Sequence, residues 1–458
     1  ATFAFDTGTL DANDLLLGYK TATAANSTAT MTLGGTGVST FNSATNALRI
    51  GVNAGTTSTA SGTLNISGGT VTVAGNAGTA IRLGDASAAG GAASGTLNLT
   101  GGTLTVTGDI VRGATTGTST AVLTLDGATL DLSGNDIGGN GSATGNLTTL
   151  TLASGTLKNV GQINNGAGLT KTGTGTLTLA GASSYTGVTT VSAGKLAVTS
   201  FGDGVTASAL GLAGLAPANL VLATGTTLGY VGAGETSARG FTVSTASTLD
   251  ASGTGAIAIS SAAKVAFANS DANRSLTLDG TSTGANSFGA GLSVGGTLDA
   301  DKIDLLVKNG VGTWIIANGA TLKSTATLDV NAGLLGLSAG VLPASGSVVL
   351  ATGTTLRFES GNTEDLSGRI HFDNAASATL AFASDVTFAS SLTVDGASAA
   401  NVTKTGAGKL TLSAANPTVG SFTVAQGTVN VTDASGLGTG ATTVNGGLLA
   451  VNTSVANA

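Results

Sequence analysis

Apolar residues along this chain alternate with small polar ones in short runs punctuated by glycine. In TLNIS (63–67), Leu64 and Ile66 share one face of an extended strand, while Thr63, Asn65 and Ser67 share the other. Val71 and Val73 resume the apolar face after Gly69. The segment SGTLNISGGTVTVAG (61–75) recurs as SGTLNLTGGTLTVTG (94–108). It returns more loosely as STAVLTLDGATLDLSG (119–134) and TLTLASGTLKNVG (149–161). Gly69, Gly102, Gly127 and Gly155 predict turns, each between two alternating runs. Two to three strands in each unit of 25–33 residues predict one coil of a right-handed parallel β-helix. Each coil would stack about 4.8 Å above its neighbour. No run of a dozen residues carries helical spacing, and only Pro217, Pro343 and Pro417 interrupt the strands.

A second repeat begins near Leu169. LTKTGTGTLTLAGASSYTGVTTVSAGKLAV (169–198) recurs as LVKNGVGTWIIANGATLKSTATLDVNAGLLGL (306–337) and as VTKTGAGKLTLSAANPTVGSFTVAQGTVNV (402–431), with matching lysines at 171, 308 and 404. These segments resemble the autotransporter-associated β-strand repeat, whose usual form is K-T-G-x-G-x-L-x-L-x-G, then Y-T-G, T-x-V and a G-x-L strand. The copy at 169–198 follows it nearly throughout, including Tyr185-Thr186-Gly187 and Gly194-Lys195-Leu196. The N-terminal copies resemble the related G-T-L-x-I/L-x-G-G-T-x-x-V repeat of large bacterial surface proteins. The resemblance implies an all-β, extracellular passenger of the bacterial cell surface. The aromatic-girdled membrane barrel of an autotransporter is not read in these residues, so a cleaved passenger, a fragment, or a protein with another export or anchoring route is expected. Two sections are expected, 1–168 with the G-T-L repeats and 169–458 with the K-T-G repeats, joined in one continuous rod.

Composition narrows the partners. The 73 glycines of 458 residues follow no Gly-X-Y period, and a hydrophobic content of 41% argues against disorder. No apolar run approaches the length of a membrane-spanning helix, so no membrane insertion is expected. A net charge of −7, with only 17 Lys and Arg, predicts no basic stripe and no nucleic-acid partner. The absence of cysteine removes thiol catalysis and disulfides. The opening ATFAFDTGTL lacks the basic and apolar regions of a signal peptide, so an exported protein is expected in its mature form.

The densest charge lies in RFESGNTEDLSGRIHFD (357–373), which holds Arg357, Glu359, Glu364, Asp365, Arg369, His371 and Asp373. On a strand, Arg369, His371 and Asp373 would share one face. With Glu364 they are the best catalytic candidates, suited to acid/base work on a polysaccharide. The plainer reading, which we favour, is the polar outer face of one coil. His371 is the only histidine, and no nucleophile motif accompanies it. Asp299, Asp301 and Asp304 are the best metal candidates, as oxygen ligands for Ca²⁺. The segment lacks a calcium-binding motif, and solvated aspartates at a turn are the expected reading. TKTGTG and TKTGAG lack the phosphate-loop pattern, and no cofactor is expected. The uneven repeat spacing argues against a threonine array in the strict register that ice binding demands. Phe358, Phe372, Phe382 and Phe388 predict an aromatic ladder inside the coil.

The expected protein is therefore a non-enzymatic surface rod. Open strand edges at its ends would let identical chains stack head to tail into a fibre. The alternatives are a monomeric adhesin for a surface glycan or a host or matrix ligand, and a polysaccharide-acting enzyme.

Overall fold

The computed structural model describes residues 1–21, 25–42, 48–75, 78–139, 143–260, 262–268, 274–292 and 302–453. Among the described residues the strand ladders are parallel, and helix appears only as single 3-10 turns such as Pro217–Asn219. This is the parallel β-solenoid that the alternation predicts. It divides into two compact units, Ala1–Leu228 and Gly229–Ala458.

In the first unit, the strands Thr2–Phe5, Ser27–Leu33, Thr59–Ala74, Ala92–Val106, Thr118–Asp131 and Thr149–Lys158 stack in order. Met31, Leu64, Leu97 and Leu123 stand opposite one another in successive coils, all buried. Leu33, Ile66, Leu99, Leu125 and Leu152 form a second inward column. Each such side chain is worth about 1.5–3 kcal/mol on burial, and these columns drive the stacking. The outer face is polar and bonded along the stack. Asn98 Nδ2 donates to Asn65 Oδ1 at 3.0 Å, and Asn65 Nδ2 to Thr32 Oγ1 at 3.4 Å.

The glycines predicted as turns lie within these long strands. Gly69 has φ +69° inside Thr59–Ala74, where the ladder shifts register, so the chain bends there; Ala92–Val106 follows it through the bend, while its partner on the other side changes from Ser27–Leu33 to Val38–Asn42. A second glycine row closes the coil at Gly18, Gly51 and Gly84, spaced by 33 residues. Gly51 has φ +71°, and a Cβ there would lie 2.0 Å from the Ser94 carbonyl oxygen. The uneven repeat spacing is taken up outside the strands. Thr70 therefore pairs with Thr103, and Thr72 with Thr105, in direct register across these two coils.

In the second unit a ten-stranded parallel sheet runs from Ala233–Ser237 to Thr442–Val444. Coil length varies within both units. Thr313 pairs with Leu334 and Leu334 with Thr355, 21 residues per coil, while Ala258 and Ser287 are 29 apart; in the first unit Thr30 and Thr63 are 33 apart, and Leu169 and Thr189 only 20. Inside this unit Phe358 stacks on Phe382 with ring centroids 4.7 Å apart, and Phe388 packs on both at 6.0 and 5.7 Å. Phe372 is buried in a neighbouring sheet, on the strand Ile370–Asp373.

Candidate functional site

The three motif lysines are fully buried, each at 0% exposure. Each ends an inward strand position, and its ammonium donates to backbone carbonyls; that of Lys404 also lies over the Phe382 ring, 5.8 Å from its centroid. Lys308 Nζ donates to the carbonyls of Asn309 (2.6 Å), Gly310 (2.7 Å) and Ala332 (3.0 Å). Lys404 Nζ donates to Gly406 (2.7 Å), Gly408 (2.6 Å) and Gln426 (2.9 Å). Lys171 Nζ donates to Thr172, to Gly173 (2.8 Å) and to Ala193 (3.2 Å). In every copy one acceptor lies 22 or 24 residues ahead, on the next coil. The glycine two residues after the lysine adopts φ of +67° to +77°, and its carbonyl oxygen faces the ammonium. Burial pushes the Lys308 and Lys404 ammoniums down to about 8, against the opposing pull of Asp279 and Asp385. Lys171 is lowered for the same reason, with Asp126 opposing. These lysines are structural clasps. None has a free surface on which to act.

The charged segment 357–373 does not converge. Arg357 Nε pairs with Glu359 Oε1 at 2.6 Å. Glu364 Oε1 accepts the Gly340 amide at 2.9 Å. Asp365 accepts the amide and hydroxyl of Ser367 and the amide of Ala389. Arg369 is not on the strand with His371 and Asp373. A 3-10 turn over Ser367–Arg369 intervenes, and its guanidinium reaches back to the carbonyls of Leu342 and Pro343. His371 and Asp373 do share the outer face of Ile370–Asp373, where His371 Nδ1 lies 3.0 Å from Asp395 Oδ1. Most of these charges are committed to local turns or pairs; Asp373 stands opposite Asp395, and Glu364 Oε2 is buried without a hydrogen-bond partner.

Asp299 and Asp301 lie outside the described residues. Asp304 Oδ1 sits 2.5 Å from Lys323 Nζ, and Oδ2 accepts the Arg274 amide. Burial alone would raise its carboxyl, but those hydrogen bonds and the nearby cations hold it below the ordinary carboxylate range. Among the described residues, no group of three or more His, Asp or Glu is placed to hold a metal ion.

One local meeting of arginines was not read from the sequence. Arg49 and Arg82 are register partners on the neighbouring strands Leu48–Asn53 and Thr79–Ala86. Arg112 ends the next strand, Asp109–Arg112, one position out of that register, opposite Leu83. A whole-chain charge count averages such a pair away. Its signal was the 33-residue recurrence of L-R-I-G (48–51) as I-R-L-G (81–84).

Residues 169–198 and 402–431 match the family model of the passenger-associated-transport repeat. The copy around Lys308 falls outside those matches yet builds the same clasp. Over 188 residues, 39% of this chain, the sequence is 37% identical to the "Adhesin BmaC autotransporter" of Brucella suis biovar 1 (strain 1330). The matched stretch spans 5% of that much longer relative. The parallel solenoid is thus built around lysine motifs of which two match that repeat, and over part of its length the chain is similar to an autotransporter passenger.

Proposed function

We propose that this chain is an adhesive passenger, a non-enzymatic solenoid whose long polar faces meet a glycan or matrix ligand outside the cell. The similarity to an autotransporter adhesin carries this reading. The geometry supports it. Columns of Thr and Asn are held in register along the stack, while most ionisable side chains of 357–373, among them Arg357, Asp365 and Arg369, are spent on turns and pairs. Such a scaffold offers repeated, individually weak contacts that gain strength together. The test is binding of the purified chain to an array of matrix proteins and glycans. Saturable binding to at least one is expected, and its absence across the array would sink the reading.

A head-to-tail fibre, in which coils of separate chains pair edge to edge, is the second reading. Exposed apolar groups favour it: Phe3, Leu10, Leu15, Leu17, Met31 and Phe41 line an apolar cavity of about 260 Å³, and Val444, Leu448 and Val451 are 49–61% exposed. Sedimentation at increasing concentration separates the readings. A monomer supports the adhesin, and growing polymers support the fibre.

A further inference from the structure

We propose that the groove lined by Arg82 and Arg112, with Arg49 beside Arg82 on the neighbouring strand, binds an acidic polysaccharide through its sulfate or carboxylate groups. This names a ligand class for the adhesive reading and rests on it.

The arginine row is costly as pure structure. Arg49 and Arg82 stand directly opposite one another on parallel strands, so their stems leave the sheet about 4.8 Å apart. Like charges so placed destabilise a sheet. Both residues are half-buried, and among the described residues neither is joined to a hydrogen-bond or ion-pair partner. Arg82 Nε is fully enclosed and unsatisfied. The carboxylates on the same strands do not answer them. Asp85 accepts the Ala114 amide at 2.9 Å, and Asp109 accepts the Asp136 amide at 2.8 Å.

The space in front of Arg82 and Arg112 is shaped to receive a ligand. Arg82, Val111, Arg112, Thr115 and Thr144 line an open groove of about 400 Å³. Arg112 Nε donates to the Thr144 carbonyl at 3.1 Å, which fixes that side chain against the groove wall. A guanidinium offers a planar fork that binds carboxylate or sulfate through two parallel hydrogen bonds. Forks repeated from coil to coil suit an extended polymer with repeated anions better than one small ion. No aromatic residue lines the groove, so it has no platform for stacked bases, and the polymer it fits is a glycan.

The test uses the whole chain with heparin as the sulfated probe, polygalacturonate as the carboxylated probe and neutral dextran as reference. Salt-sensitive binding to one or both acidic probes is expected, and which one responds identifies the anion. The double variant R49Q/R82Q is expected to weaken that binding at least tenfold. K158Q/K409Q removes two charges from exposed lysines elsewhere and is expected to leave it unchanged. Arg82→Lys keeps the charge but loses the fork, and a several-fold loss is expected; it serves as the decisive variant if the double variant misfolds. Acidic probes that bind no better than dextran overturn the proposal. So does an equal loss in K158Q/K409Q, or full binding by R82K. Adhesion that survives R49Q/R82Q intact overturns the groove alone, whereas heparin binding without adhesion to any surface removes the adhesive reading alone.

Discussion

Lys308 Nζ lies 3.0 Å from the carbonyl oxygen of Ala332, 24 residues further along the chain and one coil higher. The same ammonium holds the carbonyls of Asn309 and Gly310 at its own corner. One side chain therefore closes a corner and fastens it to the next coil, and Lys171 and Lys404 repeat the arrangement. A conserved geometry in three copies of a motif explains why a lysine sits among inward-facing aliphatic residues. It replaces water as the donor for carbonyls that the tight turn points inward.

Replacing Lys308 with Met keeps the apolar stem and removes the donor. Three carbonyls lose a charge-assisted bond, offset in part by relief from burying the charge, for a net loss of about 2 kcal/mol. Solenoid coils interact mainly with their neighbours, so the loss is local. Hydrogen exchange is expected to quicken about 30-fold in Leu334–Leu337. Exchange in Thr59–Ala74 of the first unit should not change. Unaltered protection at Leu334–Leu337 would contradict the clasp.

The clasps also predict a pH dependence. Lys308 and Lys404 titrate near 8 when folded, against an ordinary value of 10.5 for the unfolded chain. Between those values the unfolded chain binds more protons, so stability rises with pH. The gain is complete above 10.5 and lost as pH falls through 8. Urea midpoints should therefore climb from pH 8 toward pH 10, and the climb should shrink in the double variant K308M/K404M. A flat or falling profile in the parent chain, or an equal climb in the variant, would remove burial as the cause.

The repeats made the stacking legible. Leu64 and Leu97 occupy equivalent places in nearly identical segments, and they meet in register. The matched lysines were visible too, but their burial was not, because a lysine reads as polar until its partners are seen. Gly69 marked a left-handed residue correctly while saying nothing of chain direction, so a bend within a strand read as a turn between two. Alternation also cannot show where a strand begins. That is why Arg369 was grouped with His371, although the turn at Ser367–Arg369 sends it elsewhere. Arg49 and Arg82 come together only through a 33-residue register, and no local window contains both.

The glycine row gives a sharp contrast. At Gly51 a Cβ would meet the Ser94 carbonyl oxygen at 2.0 Å, with φ at +71°. At Gly225 φ is +77°, but nothing lies within 4 Å of the added atom. Gly225→Ala should cost only the left-handed strain, about 1–2 kcal/mol. Gly51→Ala adds a backbone clash that the neighbouring coil must relieve by shifting, so a loss of more than about 3 kcal/mol is expected. Thermal unfolding of the two variants measures the difference, and equal melting temperatures would show that the stack yields at Gly51.

A final prediction separates the core of the second unit from its charged face. Phe382 lies between Phe358 and Phe388 and is fully buried, so Phe382→Ala opens a cavity among rings already in contact. The expected cost is about 3–5 kcal/mol, enough to loosen the coils on either side. His371 and Asp395 form their pair with side chains 30% and 48% exposed. Solvent competes for both partners, so His371→Ala should change stability by less than about 1 kcal/mol and leave adhesion as it was. If His371→Ala instead abolished a measurable polysaccharide turnover, the outer face of Ile370–Asp373 would be a working site and the non-enzymatic reading would fall.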